Sequence, residues 1–403
     1  MRERTLRITH YALKKDANMN LDWELLLDDC VGFAQRLIQT PSMSFEEQAI
    51  AELVADECRR LGFDEVWIDG AGNVNGRIRG SDPSLGAIVL NTHLDHVDPG
   101  EPSLWRVPPY SGTIVDGRLV GRGACDIKGP LAVQVYSMAA LLRAGVRPRR
   151  DVVFTGVVQE ELGGEGAIYW VEHLDYAVDL VVLGEPSDNR IALGHRGIVQ
   201  MWLTFHGRSV HASVPEKGQN PNWALGEFLQ KLQTAQGELG QHPILGPTTV
   251  SPTIIEVDTK STNVTPAWTR VLLDFRTAVE SVNSLQAFVR RLADHAPHTI
   301  TDAWCPPGTP LTDSGETVFG FYTAPDNETA VRARHILSQA VGYDVPFSSY
   351  QFATDGRHFV PYHLTMIGYA ASEEEQAHVV DESISIAKMA ESLRGHVALL
   401  TEF

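Results

Sequence analysis

Residues 87–98 constrain this chain more than any other stretch. Ala87, Ile88, Val89 and Leu90 form an unbroken apolar run, and His93, Asp95, His96 and Asp98 follow closely. Consecutive apolar residues bounded by polar ones are the pattern of a strand buried on both faces. In an α/β sheet, ligands collect at the carboxyl ends of such strands. His93 and Asp95 stand two apart, so in extended chain both side chains project to the same side. A carboxylate placed there can accept a hydrogen bond from one imidazole nitrogen while the other nitrogen holds a metal ion. A fold for this chain must bury that strand in a sheet and bring further ligands to its exit.

The flanking sequence offers both. Trp23, Leu26, Leu27, Cys30, Val31, Phe33, Ala34, Leu37 and Ile38 recur at helical spacing over 21–39. Ser44 and Glu47 have the spacing of a capping box, which predicts a second helix from there to about residue 61. Short strands are expected at 63–68 and 73–79 around a turn at 69–72, and a hairpin at 112–119 around Asp116 and Gly117. An apolar helix is expected at 128–144, and buried strands at 151–158 and 180–183. The first of these strands exits into Gln159, Glu160 and Glu161, a glycine-rich turn at 163–166 and a helix to about 173; the second exits into Gly184, Glu185 and Pro186. Strands alternating with helices predict an open, mostly parallel sheet.

Near Gly194 the pattern changes. Residues 197–205 alternate like a half-exposed strand, 221–235 read as an amphipathic helix, 249–257 and 267–277 as strands, and 284–296 as a helix. A β-α-β-β-α order over 196–307 closes as a small sheet with two helices on one face. The α/β alternation of the first domain resumes near Leu311, with a helix at 328–341, a strand at 364–367 and a closing helix at 384–400. The expected division is therefore 1–195 with 308–403 as one domain and 196–307 as an insertion. A length of 403 residues fits two domains better than one core.

Composition narrows the partners. A net charge of −18 argues against nucleic acid, because polyphosphate is repelled, yet one local arginine can still bind a small anion. The four cysteines, Cys30, Cys58, Cys125 and Cys305, have no spacing of a zinc knuckle or disulfide framework and read as reduced thiols in a cytoplasmic protein. Residues 1–20 mix basic and polar side chains without an apolar centre, so they read as a loose arm and not as a signal peptide. No apolar run approaches the ~20 residues of a membrane span.

The polar residues at the successive exits are His93, Asp126, Glu160, Glu161 and Glu185, joined later by His378. Singly, each reads as a solvated turn residue. Together, two imidazoles and several carboxylates suit zinc or another first-row divalent ion. With one glutamate held back, the set is still too large for one four-coordinate site, and it fits two adjacent ions sharing a bridging carboxylate. Glu160 and Glu161 point opposite ways if extended, so one can coordinate while its neighbour stays free.

The segments His93-Leu94-Asp95, Gly121 to Gly129 around Asp126, Glu160-Glu161, Gly184-Glu185-Pro186 and Ala377-His378 make the chain resemble the dinuclear-zinc aminoacylase and carboxypeptidase family, over about residues 25–400. That family includes acetylornithine deacetylase, succinyl-diaminopimelate desuccinylase, aminoacylase and glutamate carboxypeptidases. The resemblance implies a zinc-exopeptidase-like three-layer α/β catalytic domain with an inserted ferredoxin-like α+β lid and dimerisation domain. It implies that His93 and Glu185 hold one metal ion, Glu161 and His378 the other, and that Asp126 bridges them. Asp95 would orient His93, and Glu160 would act as the general base, passing a proton from the attacking water to the leaving amine.

The inserted segment carries its own matching motif, 207–215, in which His211 would stabilise the oxyanion of the transition state, in the family often from the partner subunit of a dimer. Asn263 and Arg276 resemble lid residues near the substrate. Arg357, in Thr354-Asp355-Gly356-Arg357, resembles an arginine that grips the substrate α-carboxylate. His195-Arg196-Gly197 marks the hinge, and His96 and His358 receive no role. Gly368 to Ala371 replaces a Gly-Pro-Gly turn of related enzymes, so side-chain preference does not carry over. The expected protein is a cytoplasmic homodimeric amidohydrolase with two divalent ions, zinc first and cobalt or manganese as alternatives. It would remove an N-acyl group from an amino acid with a free α-carboxylate. A dipeptidase or carboxypeptidase using the same site is the first rival, and a non-catalytic binding protein the second.

Overall fold

The computed structural model describes residues 21–303 and 320–403. The arm expected at 1–20, Cys305 and the resumption of the first domain at Leu311 lie outside the described residues. The described residues open with helix α1 (Trp23–Ile38), whose first turn is capped by the Asp22 carboxylate accepting from Leu25 N–H. Helix α2 (Gln48–Leu61) stops at Gly62, where φ of +88° ends the helix as a left-handed cap. Strands β1 (Glu65–Ile68), β2 (Val74–Ile78) and β3 (Ala87–His93) follow, then the hairpin β4 (Thr113–Val115) and β5 (Arg118–Val120). Next come α3 (Gly129–Arg143), β6 (Val152–Val157), α4 (Glu165–Glu172), β7 (Val178–Leu183) and β8 (Ile191–His195). A second group holds β9 (Gly197–His206), α5 (Pro221–Ala235), the two-residue strands β10 (Gln241–His242) and β11 (Gly246–Pro247), β12 (Thr249–Val257), β13 (Trp268–Thr277), α6 (Val282–Ala293) and β14 (His298–Asp302). The chain closes with β15 (Phe321–Tyr322), α7 (Glu328–Val341), β16 (Phe347–Tyr350), the single turn α8 (Gly356–Phe359), β17 (Met366–Gly368), β18 (Ser383–Ser385) and α9 (Ile386–Glu402).

The large sheet runs β1-β2-β6-β3-β7-β17-β8-β15, with β16 also on β8. Its centre, β6-β3-β7-β17, is parallel; β2 on β6 and β8 on β17 are antiparallel. The organising strand β3 is buried throughout. Its alternation divides the core: Ile88 and Leu90 join one cluster with α1, α2, α3, α7 and α9, while Ala87 and Val89 join another with Trp170 of α4 and Phe359 of α8. Helices on both faces make three layers. Helix α3 sits where neighbours cover it all round, so every residue from Gly129 to Leu141 is buried.

The smaller sheet runs β12-β13-β9-β14, every pair antiparallel. Val199, Met201, Leu203 and Phe205 of β9, with Val271, Leu273 and Phe275 of β13, face Leu225, Phe228 and Leu232 of α5 and Leu285 and Val289 of α6. The opposite face stays half-exposed, as the alternating burial of β9 and β13 records. The strand and helix order is that of a ferredoxin-like α+β unit, with a final strand beyond the expected five elements.

Two local expectations fail. Ser44 and Glu47 do not form a capping box, because α2 has no side-chain cap. Tertiary partners take both groups: Ser44 Oγ donates to Asp95 Oδ2 at 2.7 Å, and Glu47 Oε1 accepts from Gln159 N–H at 3.0 Å. Glu160 and Glu161 are not extended but lie in a 3₁₀ turn, Glu160–Leu162, so they diverge around a turn and do not alternate across a strand.

Candidate metal centre

His93, Glu161 and Glu185 sit at or just beyond strand ends, while Asp126 and His378 sit in irregular connections. His93 is the last residue of β3 and is 1% exposed. Its Nε2 lies 2.9 Å from Asp126 Oδ1, and its Nδ1 lies 3.0 Å from the Asp95 carbonyl and 3.3 Å from Asp95 Oδ1. Asp126 belongs to an irregular turn, Ala124–Lys128, ahead of α3. Its other oxygen, Oδ2, lies 3.3 Å from His378 Nε2, which is also 3.1 Å from Glu161 Oε1. One carboxylate thus faces a different histidine with each oxygen. His93, Asp126 and Glu161 offer donor atoms within 4.8 Å of one another, the spacing of groups that can hold a metal ion. Glu185, after β7, is 6% exposed and close enough to His93 and Asp126 for their charges to act on its carboxyl.

Asp95 binds the site together from beneath. Fully buried, it accepts Glu160 N–H at 3.1 Å on Oδ1 and Glu161 N–H at 3.2 Å on Oδ2. The strand exit carrying His93 and the turn carrying both glutamates are thereby fixed to one carboxylate. Glu382, to which the sequence assigns no role, does the same for Asp126. Its Oε1 accepts from Cys125 N–H (2.8 Å) and Asp126 N–H (3.0 Å), and its Oε2 from Gly123 N–H (3.1 Å) and Arg122 Nη1 (2.6 Å).

The electrostatics are those of crowded anions. Burial raises the Glu160 pKa well above the carboxylate range, and the Asp355 and Glu185 charges raise it further. Burial likewise lifts Glu185. Asp355, 2% exposed with neither oxygen hydrogen-bonded among the described residues, is pushed up to about 6, chiefly by burial. Burial opposes a charged ring at His93, but Asp126 and Asp95 outweigh it and raise its pKa. Asp126 and Glu161 raise His378 to about 10. Burial works against ionised Asp126, yet the two histidines hold its pKa far below normal. Buried carboxylates with surplus negative charge around two imidazoles fit divalent cations, whose charge reverses this balance.

The remaining sequence candidates fall elsewhere. His211 is exposed; its Nδ1 bonds Ser213 Oγ at 2.7 Å, and its Nε2 lies 3.5 Å from Asn263 Nδ2. Arg276, on β13, donates to Asp274 Oδ1 at 2.8 Å. No hydrogen bond or ion pair among the described residues joins these three to the cluster. Arg357 stands in the single turn α8, two residues after Asp355, whose charge reaches Glu160, and its Nε donates to His358 Nε2 at 3.0 Å. His96 is structural: its Nε2 accepts Ser42 N–H at 3.0 Å and its Nδ1 donates to the Val97 carbonyl at 2.8 Å. His195 also turns inward, with Nδ1 donating to the Arg196 carbonyl at 2.8 Å.

Known proteins resemble this chain in sequence and fold. The family model described as peptidase family M20/M25/M40 matches residues 89–402. The uncharacterized protein YgeY of Escherichia coli K12 is 27% identical over 385 residues, covering 90% of this chain and 93% of its own length. Succinyl-diaminopimelate desuccinylase of Rhodospirillum centenum is 26% identical over 380 residues, covering 90% and 94%. Among solved structures, aminopeptidase PepT of Bacillus cereus has the same fold with a TM-score of 0.72 at 18% identity, covering 94% of this chain and 98% of its own.

Proposed function

The chain belongs to peptidase family M20/M25/M40 and is a hydrolase of peptide or amide bonds, and from that premise we propose that it removes an N-acyl group from an amino acid bearing a free α-carboxylate, by acetylornithine deacetylase-like chemistry. The observation that carries the reading is Asp126, whose two oxygens face His93 and His378 separately. A carboxylate so placed suits a bridge between two ions. His93 and Glu185 would hold one ion and Glu161 and His378 the other, zinc first, with cobalt or manganese as alternatives. Such ions supply Lewis-acid polarisation of the scissile carbonyl and acidify water. A deacylase among the relatives, matched along 90% of this chain, supports the acyl class.

Glu160 is the proton carrier in this reading. Its carboxylate takes a proton from the attacking water as the C–O bond forms, and delivers it to the amide nitrogen as the C–N bond breaks. Burial, with the Asp355 and Glu185 charges, raises the affinity of this carboxylate for that proton. Arg357 grips the α-carboxylate, and no described carboxylate pairs with it.

The chain divides at the hinge after His195: 1–195 with 308–403 form the catalytic domain and 196–307 the lid. Separate sheets and separate apolar clusters support that division. The lid brings His211, with Asn263 and Arg276, to the substrate from its own chain or from the partner subunit of a homodimer. Strand β12 supports the dimer, because it lies at the sheet edge with Ile254, Ile255 and Val257 exposed. Among the described residues no helix is long and apolar enough to cross a membrane. Cys30, Cys58 and Cys125 are buried free thiols, which favours a cytoplasmic setting.

The test is free-amine release from a panel of N-acetyl and N-succinyl amino acids and dipeptides, with zinc-loaded and chelated protein. Metal-dependent cleavage of acyl amino acids is expected. Cleavage of dipeptides alone would replace this reading with a dipeptidase.

A further inference from the structure

Arg357 is a charge left uncommitted in an acidic protein. The chain holds 51 Asp and Glu against 33 Lys and Arg, yet no described carboxylate lies within ion-pair distance of this guanidinium. Asp355 feels its charge without pairing with it. The partner is instead an imidazole, with Arg357 Nε donating to His358 Nε2 at 3.0 Å. A guanidinium has no acceptor atom, so His358 must accept on Nε2 and carry its proton on Nδ1. Burial first, and the Arg357 charge second, push the His358 pKa down to about 4, which keeps the ring a neutral acceptor near pH 7.

The ring is also braced. Gly164, with φ of +85°, follows the Glu160-Glu161 turn, and a Cβ there would lie 2.4 Å from His358 Nε2 and 2.4 Å from Asp355 Oδ1. The main chain after the turn that carries the proposed base thus runs close beside His358, leaving no room for a side chain at Gly164. Asp355 Oδ1 lies 3.7 Å from the same nitrogen, farther than the guanidinium. We infer that His358 is a positioning residue, holding Arg357 through Nε so that both terminal nitrogens remain for the α-carboxylate of the substrate. A carboxylate in its place would compete with the substrate for the charge; a neutral acceptor fixes direction and leaves the charge available. The inference rests on the reading of Arg357 as the carboxylate anchor.

The experiment uses the zinc-loaded full chain and two readouts. The first is the ¹⁵N–¹H signal of the Arg357 Nε–H group, assigned by its loss in Arg357→Lys. The second is KM and kcat for N-acetyl-L-ornithine, N-succinyl-L-ornithine and Ala-Ala. In His358→Ala the signal is expected to move, and KM of the substrate cleaved to rise about tenfold with kcat nearly kept. His358→Gln, whose amide oxygen can accept at the position of Nε2, should restore both. Adding His358→Ala to Arg357→Ala should change KM less than about twofold, as expected for residues acting through one group. An unmoved signal in His358→Ala overturns the inference while leaving Arg357 as anchor if Arg357→Ala still raises KM. Unchanged KM in Arg357→Ala overturns the anchor reading, and the inference with it.

Discussion

Glu382→Gln probes how Asp126, the proposed bridging aspartate, is held. The amide oxygen can keep the bonds from Cys125 and Asp126 N–H, but the amide nitrogen then faces two donors, Gly123 N–H and Arg122 Nη1. The Arg122 and Glu382 side chains are 4% and 1% exposed, so the substitution strands a buried cation. Removing one partner of a buried pair costs about 3–5 kcal/mol. The Asp56–Arg59 pair, with side chains 77% and 54% exposed, is the control, and Asp56→Asn should cost under about 1 kcal/mol. Because the loop that Glu382 holds presents Asp126, zinc affinity should also fall, by roughly 10- to 100-fold. Urea unfolding of metal-free protein reads the first effect, and competition with a chromophoric chelator reads the second. A Glu382→Gln protein with the wild-type unfolding midpoint and zinc affinity would refute the argument that this carboxylate organises the metal loop.

Other consequences are as direct. Glu160→Gln should lower turnover by roughly 10²- to 10⁴-fold while titration calorimetry still records wild-type zinc uptake, since the proposed base is not a ligand. Undiminished hydrolysis would remove Glu160 from that role. Glu57, 2% exposed, is held ionised against the cost of burial by Arg60, Arg36 and Tyr136, which bring its pKa from 4.5 down to about 2. A carboxylate with a depressed folded-state pKa stabilises the fold above its unfolded value, and that contribution is lost as pH falls through the folded value. Metal-free protein should therefore lose stability between pH 4.5 and about 2, and Glu57→Gln should flatten that part of the profile. An unchanged acid limb would show that the Glu57 cluster is not what titrates.

The parts of this protein legible in its sequence are those governed by local periodicity. The apolar run Ala87–Leu90 that opens β3, the buried helix at Gly129–Arg143 and the alternation of β9 and β13 each announce which faces are covered. The exits of the buried strands then point to His93, Glu161 and Glu185, and the fold brings the first two close to Asp126. What sequence hides is long-range partnership. Ser44 and Glu47 carry a valid capping-box spacing, but Asp95 and Gln159, far along the chain, take both groups. Glu382 sits 257 residues from Cys125, and its position four residues after His378 is the one local hint of its role. Asp355 reads in the sequence only as part of the arginine motif, because a buried carboxylate without a hydrogen-bond partner has no local pattern. The strands β15, β16 and β18 are two to four residues long, too short for a period to show.

The most direct measurement is anomalous scattering at the zinc edge from crystals of zinc-loaded protein. Two peaks flanking Asp126, one beside His93 and Glu185 and the other beside Glu161 and His378, are the predicted result. A single peak, or two that do not share Asp126, would contradict the bridged centre on which the proposed chemistry depends.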